Sequence, residues 1–418
     1  MGCFQIRAAI AKALMSLLLS SVGVATGLSE EIVVTPHVFQ SRWHLGKPLY
    51  THQGDKILVE SNHSELHVHS ARDLRLLKSI QLPDRFAPNV QLVSTEVSGQ
   101  ILVLSNLQRD VEGSYASEVS IVNIDVNEPE FRTLRTSAND LQAFENCDQM
   151  LSVAFDTTTG NVVIGGMRPL RNAQKKFQAW VWVVSVKTGE LLTEFPILND
   201  DSCEQVLYRD GLGVLSLSRT IGKTHPPIEQ WHVTSRKIEK DVSTTHFSAE
   251  AVRGTNYIWG LSFFENHPHL FFMKEVERDD LAFDAKTSEV SLVRLDVRDS
   301  TMQAFMLSPN AIAVQEDPRR YLPPNAICAL MDGEHFVTIA HGLHQEDDQK
   351  REHSEICLRH ADSGKLMSMV STASEIWQVA SSTSRKEFVT VSEAVASDEE
   401  NGNDSWRFSY MNLWSVED

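Results

Sequence analysis

The chain has 418 residues, of which 42% are hydrophobic and 22% are charged, so it has ample material for a folded core and is unlike a disordered chain. Its 38 Lys and Arg residues against 56 Asp and Glu residues give a formal net charge of -18. Such a surface repels the phosphates of nucleic acid, which excludes nucleic acid as the expected partner.

The first 27 residues have the features of a secretory signal peptide. Arg7 and Lys12 precede the apolar run ALMSLLLSSVGVA, and the small residues after it suit a cleavage point before Leu28. The run is shorter than the roughly 20 residues that cross a bilayer, so a retained anchor is the alternative interpretation. The sequence therefore predicts a signal peptide over 1–27, one domain over 28–418, and a secreted or periplasmic protein with no later membrane span.

Beyond this segment the chain consists of short runs that predict β-strands. Apolar and polar residues alternate in runs rich in β-branched residues, such as KILVES, QILVLSN, WVWVVSV, VSLVRLDV, HFVTIA and FVTVSE. The runs recur in groups of four, with tight turns inside each pair and a longer connection between the pairs. The turn after the third run recurs about every 58 residues, against about 40–50 in compact propeller repeats. This pattern predicts an all-β chain folded as a seven-bladed β-propeller.

The seventh group has only three runs, EIWQVAS, EFVTVSE and FSYMNLWSVED. A lone run, EEIVVTPHVF, follows the signal segment at the other end of the chain. We expect residues 32–34 to pair beside YMNLWSV as the outer strand of the last blade, which would close the ring without leaving a long open edge. Pro36 fits an edge strand, because proline has no N–H to donate within a sheet. The alternative is a disordered tail.

The groups resemble the repeats of WD40 and YVTN-like seven-bladed propellers. The resemblance covers residues 30–418 and is most specific in the third-strand segments MNLWSVED, IEQWHVTSRK and VWVVSVKTG. The Gly-His pair of WD40 repeats is missing, and neither Trp414 nor Trp231 is followed by Asp. The resemblance therefore implies the propeller fold without the hydrogen-bonded tetrad of WD40 blades, and we expect blade packing to depend on apolar contacts.

Histidine groups are the first candidates for a metal site. His67 and His69 share one face of a strand, but no third ligand is evident nearby. His267 and His269 likewise lie close together with no third ligand evident nearby. The histidines around His341 lie in a predicted loop that also contains carboxylates. We interpret these side chains as solvated, and no metal or other cofactor is expected.

Four cysteines follow the signal segment. The segments NCDQMLSV and SCEQVLYR resemble each other, so Cys147 and Cys203 are expected at equivalent positions where adjacent blades enter their first strands. The two thiols are expected to be buried, with a disulfide between them as the alternative. Cys328 and Cys357 are expected on the first and third strands of one blade, too far apart to form a disulfide.

No nucleophile elbow, P-loop, dinucleotide fingerprint or zinc-ligand spacing occurs in the sequence. The polar segments between second and third strands are long, whereas the turns at the opposite face are short, and long loops on a rigid ring are a common binding surface. In blades 3 and 4 they are basic, with Arg168, Arg171, Lys175, Lys176 and Arg219. In blades 5 to 7 they are acidic, and acids also lie where inner strands begin; the candidate binding acids are Asp347, Asp348, Glu399, Glu400, Asp148, Glu204 and Glu375.

The sequence therefore predicts a scaffold that binds a protein or glycan at its long-loop face. The acidic sector favours a basic surface or a divalent cation, and association should weaken as salt rises. Negative loops that serve solubility alone are an alternative. A second is a propeller enzyme resembling lactonase-type hydrolases, with carboxylates at the channel mouth as catalytic groups. A third, a quinone- or metal-dependent electron-transfer propeller, lacks axial-ligand signals, and the fold alone does not decide among them.

Overall fold

A computed structural model describes residues 31–107, 116–136, 148–170, 177–197, 200–221, 228–238, 243–252, 256–263, 269–279, 286–306, 313–315, 327–329, 334–346, 349–372, 375–382, 385–397 and 405–417. Every regular element in these ranges is a β-strand. Within them no helix is long and apolar enough to cross a membrane. The signal segment lies outside the described residues.

The strands form seven antiparallel sheets arranged as propeller blades. Blades 1 and 2 contain β2 (Leu49–Tyr50), β3 (Lys56–Ser61), β4 (Glu65–Ser70), β5 (Leu76–Gln81), β6 (Gln91–Ser94), β7 (Gln100–Asn106), β8 (Ser117–Asn123) and β9 (Arg132–Thr136). Blades 3 and 4 contain β10 (Gln149–Asp156), β11 (Asn161–Pro169), β12 (Phe177–Ser185), β13 (Leu191–Pro196), β14 (Ser202–Arg209), β15 (Gly213–Ile221), β16 (Ile228–Arg236) and β17 (Ser243–Val252). The predicted all-β, seven-bladed fold is confirmed.

The remaining blades follow the same order from inner to outer strand. Blades 5 and 6 contain β18 (Asn256–Phe263), β19 (His269–Asp279), β20 (Lys286–Asp296), β21 (Met302–Met306), β22 (Ala313–Gln315), β23 (Ile327–Ala329), β24 (His335–Glu346), β25 (Gln349–His360) and β26 (Leu366–Thr372). Here β22 is a fifth strand that pairs with β20. Blade 7 contains β27 (Glu375–Ser381), β28 (Glu387–Ser397), β29 (Ser405–Glu417) and, as its outer strand, β1 (Glu31–Ser41).

In blade 7, strands from both ends of the chain lie side by side. Ile32 pairs with Val416 and Val34 with Trp414, after which two extra residues of β1 bulge out before pairing resumes at Val38. The bulge contains Pro36, so the residue that cannot donate an N–H lies where the ladder is already interrupted. Ile32 is 4% exposed in an apolar cluster that also holds residues of blades 6 and 7.

Apolar clusters fill the spaces between neighbouring blades. One joins blades 1 and 2, another joins blades 2 and 3, and others join blades 3 to 5 and blades 7 and 1. Burial of these side chains is the main favourable contribution to folding, since each large apolar residue contributes about 1.5–3 kcal/mol. Inner strands are also joined directly, because the side chain of Gln205 both donates to and accepts from the backbone of Leu261 in the next blade at 2.9 Å.

The ring has two different faces. We call the face with the connections between second and third strands, and between successive blades, the long-loop face. The opposite face, with the turns inside each strand pair, is the tight-turn face. Several segments that the sequence predicts as long loops continue as paired strands: β24 and β25 remain paired to Glu346 and Gln349, well beyond the point at Ser354 where β26 stops pairing. The long-loop face of blade 6 therefore carries a projecting hairpin.

Candidate functional site

Of the predicted binding residues, Asp148 and Glu204 lie on the described part of the long-loop face. Asp148 directly precedes β10, and Glu204 lies near the start of β14. Glu375 is the first residue of β27, and its side chain lies outside the described set. The other predicted residues lie outside the described ranges, and their roles stay predictions; they are Arg171, Lys175, Lys176, Asp347, Asp348, Glu399 and Glu400.

Asp148 is held by two arginines. Arg168 of β11 donates to both of its carboxylate oxygens at 3.0 and 3.3 Å, and Arg135 of β9 donates at 3.3 Å. Arg168 also makes a two-pronged pair with Glu194 of β13, at 3.0 and 2.8 Å. Two cations and two carboxylates from three strands of blade 3 and one of blade 2 thus form one network, which crosses the boundary between blades.

The two arginines lie on tryptophan rings. The guanidinium carbon of Arg168 is 4.1 Å from the ring centre of Trp180, and that of Arg135 is 5.2 Å from the ring centre of Trp182. Burial alone would lower the pKa of Arg168, but the hydrogen bonds to Glu194 and Asp148 outweigh it and raise the pKa. Arg168 is therefore a fixed cation, held flat between a ring and two carboxylates, with 26% of its side chain exposed.

Blade 4 repeats this arrangement with different residues. Arg219 of β15 donates to Glu204 at 2.7 Å, and the hydroxyl of Ser202 donates to the same carboxylate at 2.6 Å. The guanidinium of Arg219 lies 5.5 Å from the ring centre of Trp231. The sequence indicated the basic and acidic residues of this face, but it missed the tryptophans, which lie on the third strands of both blades at different register positions, since His232 and not Trp231 corresponds to Trp180.

Inner strands carry a bulge where Glu204 lies. Cys203 pairs with Ser218 and Gln205 with Leu217, so Glu204 is an extra residue in β14. In β10, Met150 pairs with Gly166 and Ser152 with Gly165, which makes Leu151 the corresponding extra residue. The equivalent of Cys203 is therefore Met150. The prediction that Cys147 and Cys203 occupy equivalent positions is wrong by three residues, because the similar letters of NCDQ and SCEQ are not in structural register.

Two glycines of β11 allow close approaches, one to β10 within blade 3 and one to blade 4. A side chain at Gly166 would begin 1.9 Å from the carbonyl oxygen of Gln149. One at Gly165 would begin 2.5 Å from Val206 and 2.9 Å from the sulfur of Cys203. The GGMRP segment thus serves close packing under the arginine clusters. Cys203 is a free thiol with no exposed surface, and burial raises its pKa, so it is poorly suited to nucleophilic chemistry.

A buried carboxylate fixes the connection that enters blade 4. Asp200, which is 2% exposed, accepts hydrogen bonds from Ser218 at 2.5 Å and Thr220 at 2.8 Å, both on β15. His232 of β16 lies 2.7 Å away, and its hydrogen bond to Asp200 raises the pKa of the histidine. The prediction that blade packing depends on apolar contacts agrees with the clusters between blades, and this network adds polar contacts within blade 4. The residue types differ from the WD40 tetrad, but a loop is again joined to the second and third strands by polar side chains.

The connection that enters blade 2 is held from both sides. On the blade 1 side, the buried carboxylate of Glu60 accepts hydrogen bonds from the backbone N–H groups of Asn89 and Val90, at 3.0 and 2.9 Å. On the blade 2 side, Arg85 makes a two-pronged pair with Glu118 at 3.0 and 2.7 Å. Burial opposes ionisation of Glu118, but hydrogen bonds from Arg85 and neighbouring hydroxyls outweigh it and lower its pKa.

The histidines predicted as solvated are largely covered. His69 has no exposed surface, donates from Nδ1 to the carbonyl of Leu74 at 2.9 Å, and packs 4.4 Å from the ring of Phe39. The side chain of His269 is 11% exposed and faces Asp296. Both side chains are covered because His69 lies where blades 7 and 1 meet and His269 lies where blades 5 and 6 meet. His267 and His341 lie outside the residues whose side chains are described.

In the described part of the chain, no group of three or more His, Cys, Asp or Glu side chains is arranged to hold a metal ion. Cys357 lies on β25 and Cys328 on β23, with β24 between them, which confirms their predicted strands. Cys357 is a free, buried thiol, and burial raises its pKa to about 12.

Comparison with known proteins gives a likeness in structure only. No family profile and no curated protein matches the chain. Among solved structures, the WD40 domain of Pan2 from Neurospora crassa superimposes with a TM-score of 0.50 at 10% sequence identity, over 92% of this chain and 94% of that domain. At this identity the likeness shows the fold and nothing about function. The strand order and the superposition together show that the chain folds as a seven-bladed β-propeller.

Proposed function

We propose that this protein is a secreted or periplasmic scaffold that binds a protein partner through blades 3 and 4 of its long-loop face. The observation that carries the proposal is the pair of arginine–tryptophan clusters at Asp148 and Glu204. Arginine and tryptophan are the residues most enriched at the energetic centres of protein interfaces. Here the two arginines and Trp180 are partly exposed and Trp231 is buried beneath Arg219, and all are already ordered by their contacts, which reduces the entropy lost on binding.

The charges of these clusters favour recognition over hydrolysis. Each oxygen of Asp148 accepts a hydrogen bond from an arginine, and Glu204 accepts from Arg219 and Ser202. A carboxylate held in this way is a poor general base, because its lone pairs are committed to donors. The guanidinium groups keep exposed edges of about a quarter of each side chain, at Arg168 and Arg219. They suit a partner that offers carboxylates or backbone carbonyls.

Site-specific photo-crosslinking in the native secreted or envelope fraction tests this proposal. A photoreactive residue replaces Gln178 or Gln230, which lie beside the two clusters on β12 and β16. A matched control replaces the exposed Thr188 in a turn of the tight-turn face. We expect a discrete protein adduct from both long-loop positions and none from the control. Equal adducts from all three positions, or an adduct from Thr188 alone, would contradict the proposal.

A charge-preserving variant sharpens the test. R168K keeps one positive charge but loses the planar group that stacks on Trp180 and binds two carboxylates, so we expect it to reduce adduct yield several-fold. W180A should reduce it further. If R168K crosslinks like the unmodified chain while W180A does not, the tryptophan and not the arginine is the recognition element.

A further inference from the structure

Exposed apolar side chains are concentrated on the tight-turn face. Nine large hydrophobic side chains are exposed in the described ranges, and seven of them lie in or directly after tight turns: Leu76, Leu77, Val97, Val126, Leu191, Leu192 and Met302. The other two, Val38 and Trp43, lie toward the long-loop face. Single exposed apolar residues are ordinary, but their segregation to one face of a chain with a net charge of -18 marks a contact surface.

Two leucine pairs owe their exposure to strand bulges. In blade 1, Val68 pairs with Lys78 and His69 with Leu76, so Leu77 is an extra residue. In blade 3, Thr193 and Leu191 pair with consecutive residues of β12, so Leu192 is an extra residue. Side chains normally alternate between the two sides of a strand, and a bulge breaks this alternation. Both leucines of each pair are therefore between 41% and 52% exposed.

Cations accompany these apolar residues around the ring. The turns between third and fourth strands carry an exposed lysine or arginine at or beside the turn in each of blades 1 to 6: Arg72, Arg75, Arg132, Lys187, Lys237, Arg298 and Lys365. Carboxylates such as Glu190 and Asp299 lie in the same turns. Other exposed carboxylates in these turns include Asp73, Asp125 and Asp362, so the described charges are about balanced. The face therefore combines leucines with charges of both signs on side chains that have apolar stems, which suits the interface between lipid headgroups and acyl chains.

The chain enters the ring on this same face. Glu31, the first residue of β1, pairs with Glu417, and the neighbouring Val416 N–H donates to the carbonyl of Lys386 in a tight turn of blade 7. The apolar run of residues 13–25 ends only a few residues before this point. If residues 1–27 are retained as an anchor, which is the alternative to cleavage, the run enters a bilayer and the tight-turn face is the part of the ring that is brought against the lipid.

We infer that the tight-turn face rests on a lipid bilayer, with its leucines inserted at the headgroup level and its long-loop face directed away from the membrane. Protein binding at blades 3 and 4 is a separate property and can fail independently. Because the turns carry both signs of charge, the contact depends on apolar insertion and needs no anionic lipid. A zwitterionic bilayer of phosphatidylcholine is therefore a sufficient ligand.

Hydrogen exchange of the full chain bound to phosphatidylcholine vesicles tests the inference. Three forms are compared, all retaining residues 1–30: the unmodified chain, the variant L76Q/L77Q/L191Q/L192Q, and the control V38Q/W43Q, which removes the two exposed apolar side chains near the other face. All altered side chains are exposed, so the fold should persist, and equal melting temperatures in detergent check this. We expect amides 72–78 and 187–193 to exchange at least tenfold more slowly in the unmodified chain and the control than in the leucine variant.

Raising the salt to 0.5 M should leave this protection in place. Equal exchange in the unmodified chain and the leucine variant would show that residues 1–30 alone hold the protein to the vesicle and would overturn the inference. Protection that disappears when each vesicle carries a single chain would also overturn it, since a second copy of the protein would then be what covers the leucines.

Discussion

The two faces of the propeller hold their histidines in opposite ways. On the long-loop face, hydrogen bonds to Glu393 and Asp200 raise the pKa values of His44 and His232. Toward the tight-turn face, burial lowers the pKa of His69 to about 4 and also lowers the pKa of His246. The carbonyl of Leu74 and the hydroxyl of Ser235, which contact these two rings, are uncharged and do not offset the cost of burying a charge. Buried neutral histidines thus lie toward the tight-turn face, which also carries ion pairs such as that of Arg298 with Asp296, whereas His44 and His232 of the long-loop face are held by carboxylates.

This difference matches the different demands on the two faces. The connections between blades cross the long-loop face, and buried carboxylates such as Asp200 and Glu60 fix them in place. Turns on the opposite face are short and their polar contacts are mostly local, as where the backbone of Thr158 and Thr159 donates to Asp156, so leucines beside such turns can face outward. The face with fixed charges suits recognition of a protein, and the face with exposed leucines suits a less specific apolar contact.

The largest expected effect comes from removing the strand that runs between the two faces. Deleting residues 31–41 takes β1 from blade 7, exposes the edge of β29 and removes Ile32 from its apolar cluster. We expect the melting temperature to fall by more than about 10 °C, or folding to fail, because several core residues lose their cover together. Thermal unfolding by circular dichroism measures this. V38S, on the same strand but exposed, is the control and should melt like the unmodified chain.

A smaller loss should follow from removing the charge that organises the connection into blade 4. D200A leaves Ser218, Thr220 and His232 without their acceptor in a buried site, at a cost of about 3 kcal/mol in the free energy of unfolding. Urea denaturation measures the change. H232Q keeps a donor near Asp200 and should cost less; equal losses in the two variants would contradict a central role for the carboxylate.

The third prediction concerns acid sensitivity at the contact between blades 7 and 1. His69 is neutral in the folded protein down to about pH 4 but takes up a proton near its ordinary pKa of 6.5 when unfolded. Its contribution is complete above pH 6.5 and is lost as the pH falls, so stability should decrease by about 2–3 kcal/mol by pH 4.5. H69Q should lose correspondingly less between pH 7 and pH 4.5. The same dependence in both proteins would show that other groups cause it.

The fourth and smallest effect has the opposite sign. Because hydrogen bonding to Asp200 raises the folded pKa of His232, the stability from this pair is complete below the unfolded pKa and is lost as the pH rises through the folded value. The difference in unfolding free energy between the unmodified chain and H232Q should therefore shrink from pH 5.5 to pH 9. If the difference instead grows over this range, the charges inferred here for His232 and Asp200 are wrong.

Much of the fold follows from local sequence. Strands such as WVWVVSV and the turns that separate them are encoded within a few residues, so the number of blades and the strand positions of Cys328 and Cys357 could be predicted. The projecting hairpin of blade 6 could not, because its polar residues lack the alternation of apolar and polar residues that predicts a strand, and only the pairing of β24 with β25 shows it.

The polar networks depend on register, which the sequence shows poorly. Asp200 meets His232 across 32 residues only after β15 and β16 have paired. Strand pairing also makes Met150 the equivalent of Cys203, although the similar letters NCDQ and SCEQ had suggested Cys147. One signal was available: two consecutive carboxylates, Asp200 and Asp201, stand directly before a strand, where a loop enters a blade.

Recognition at blades 3 and 4 is the central claim, and it is tested most directly by hydrogen exchange of the full chain alone and in its purified crosslinked complex. We predict slower exchange in the complex at residues 167–169, 177–182 and 228–232, which surround Arg168, Trp180 and Trp231, and no change in the turns at 186–190 and 236–238. Slower exchange confined to those turns, with the arginine–tryptophan clusters unchanged, would contradict the account.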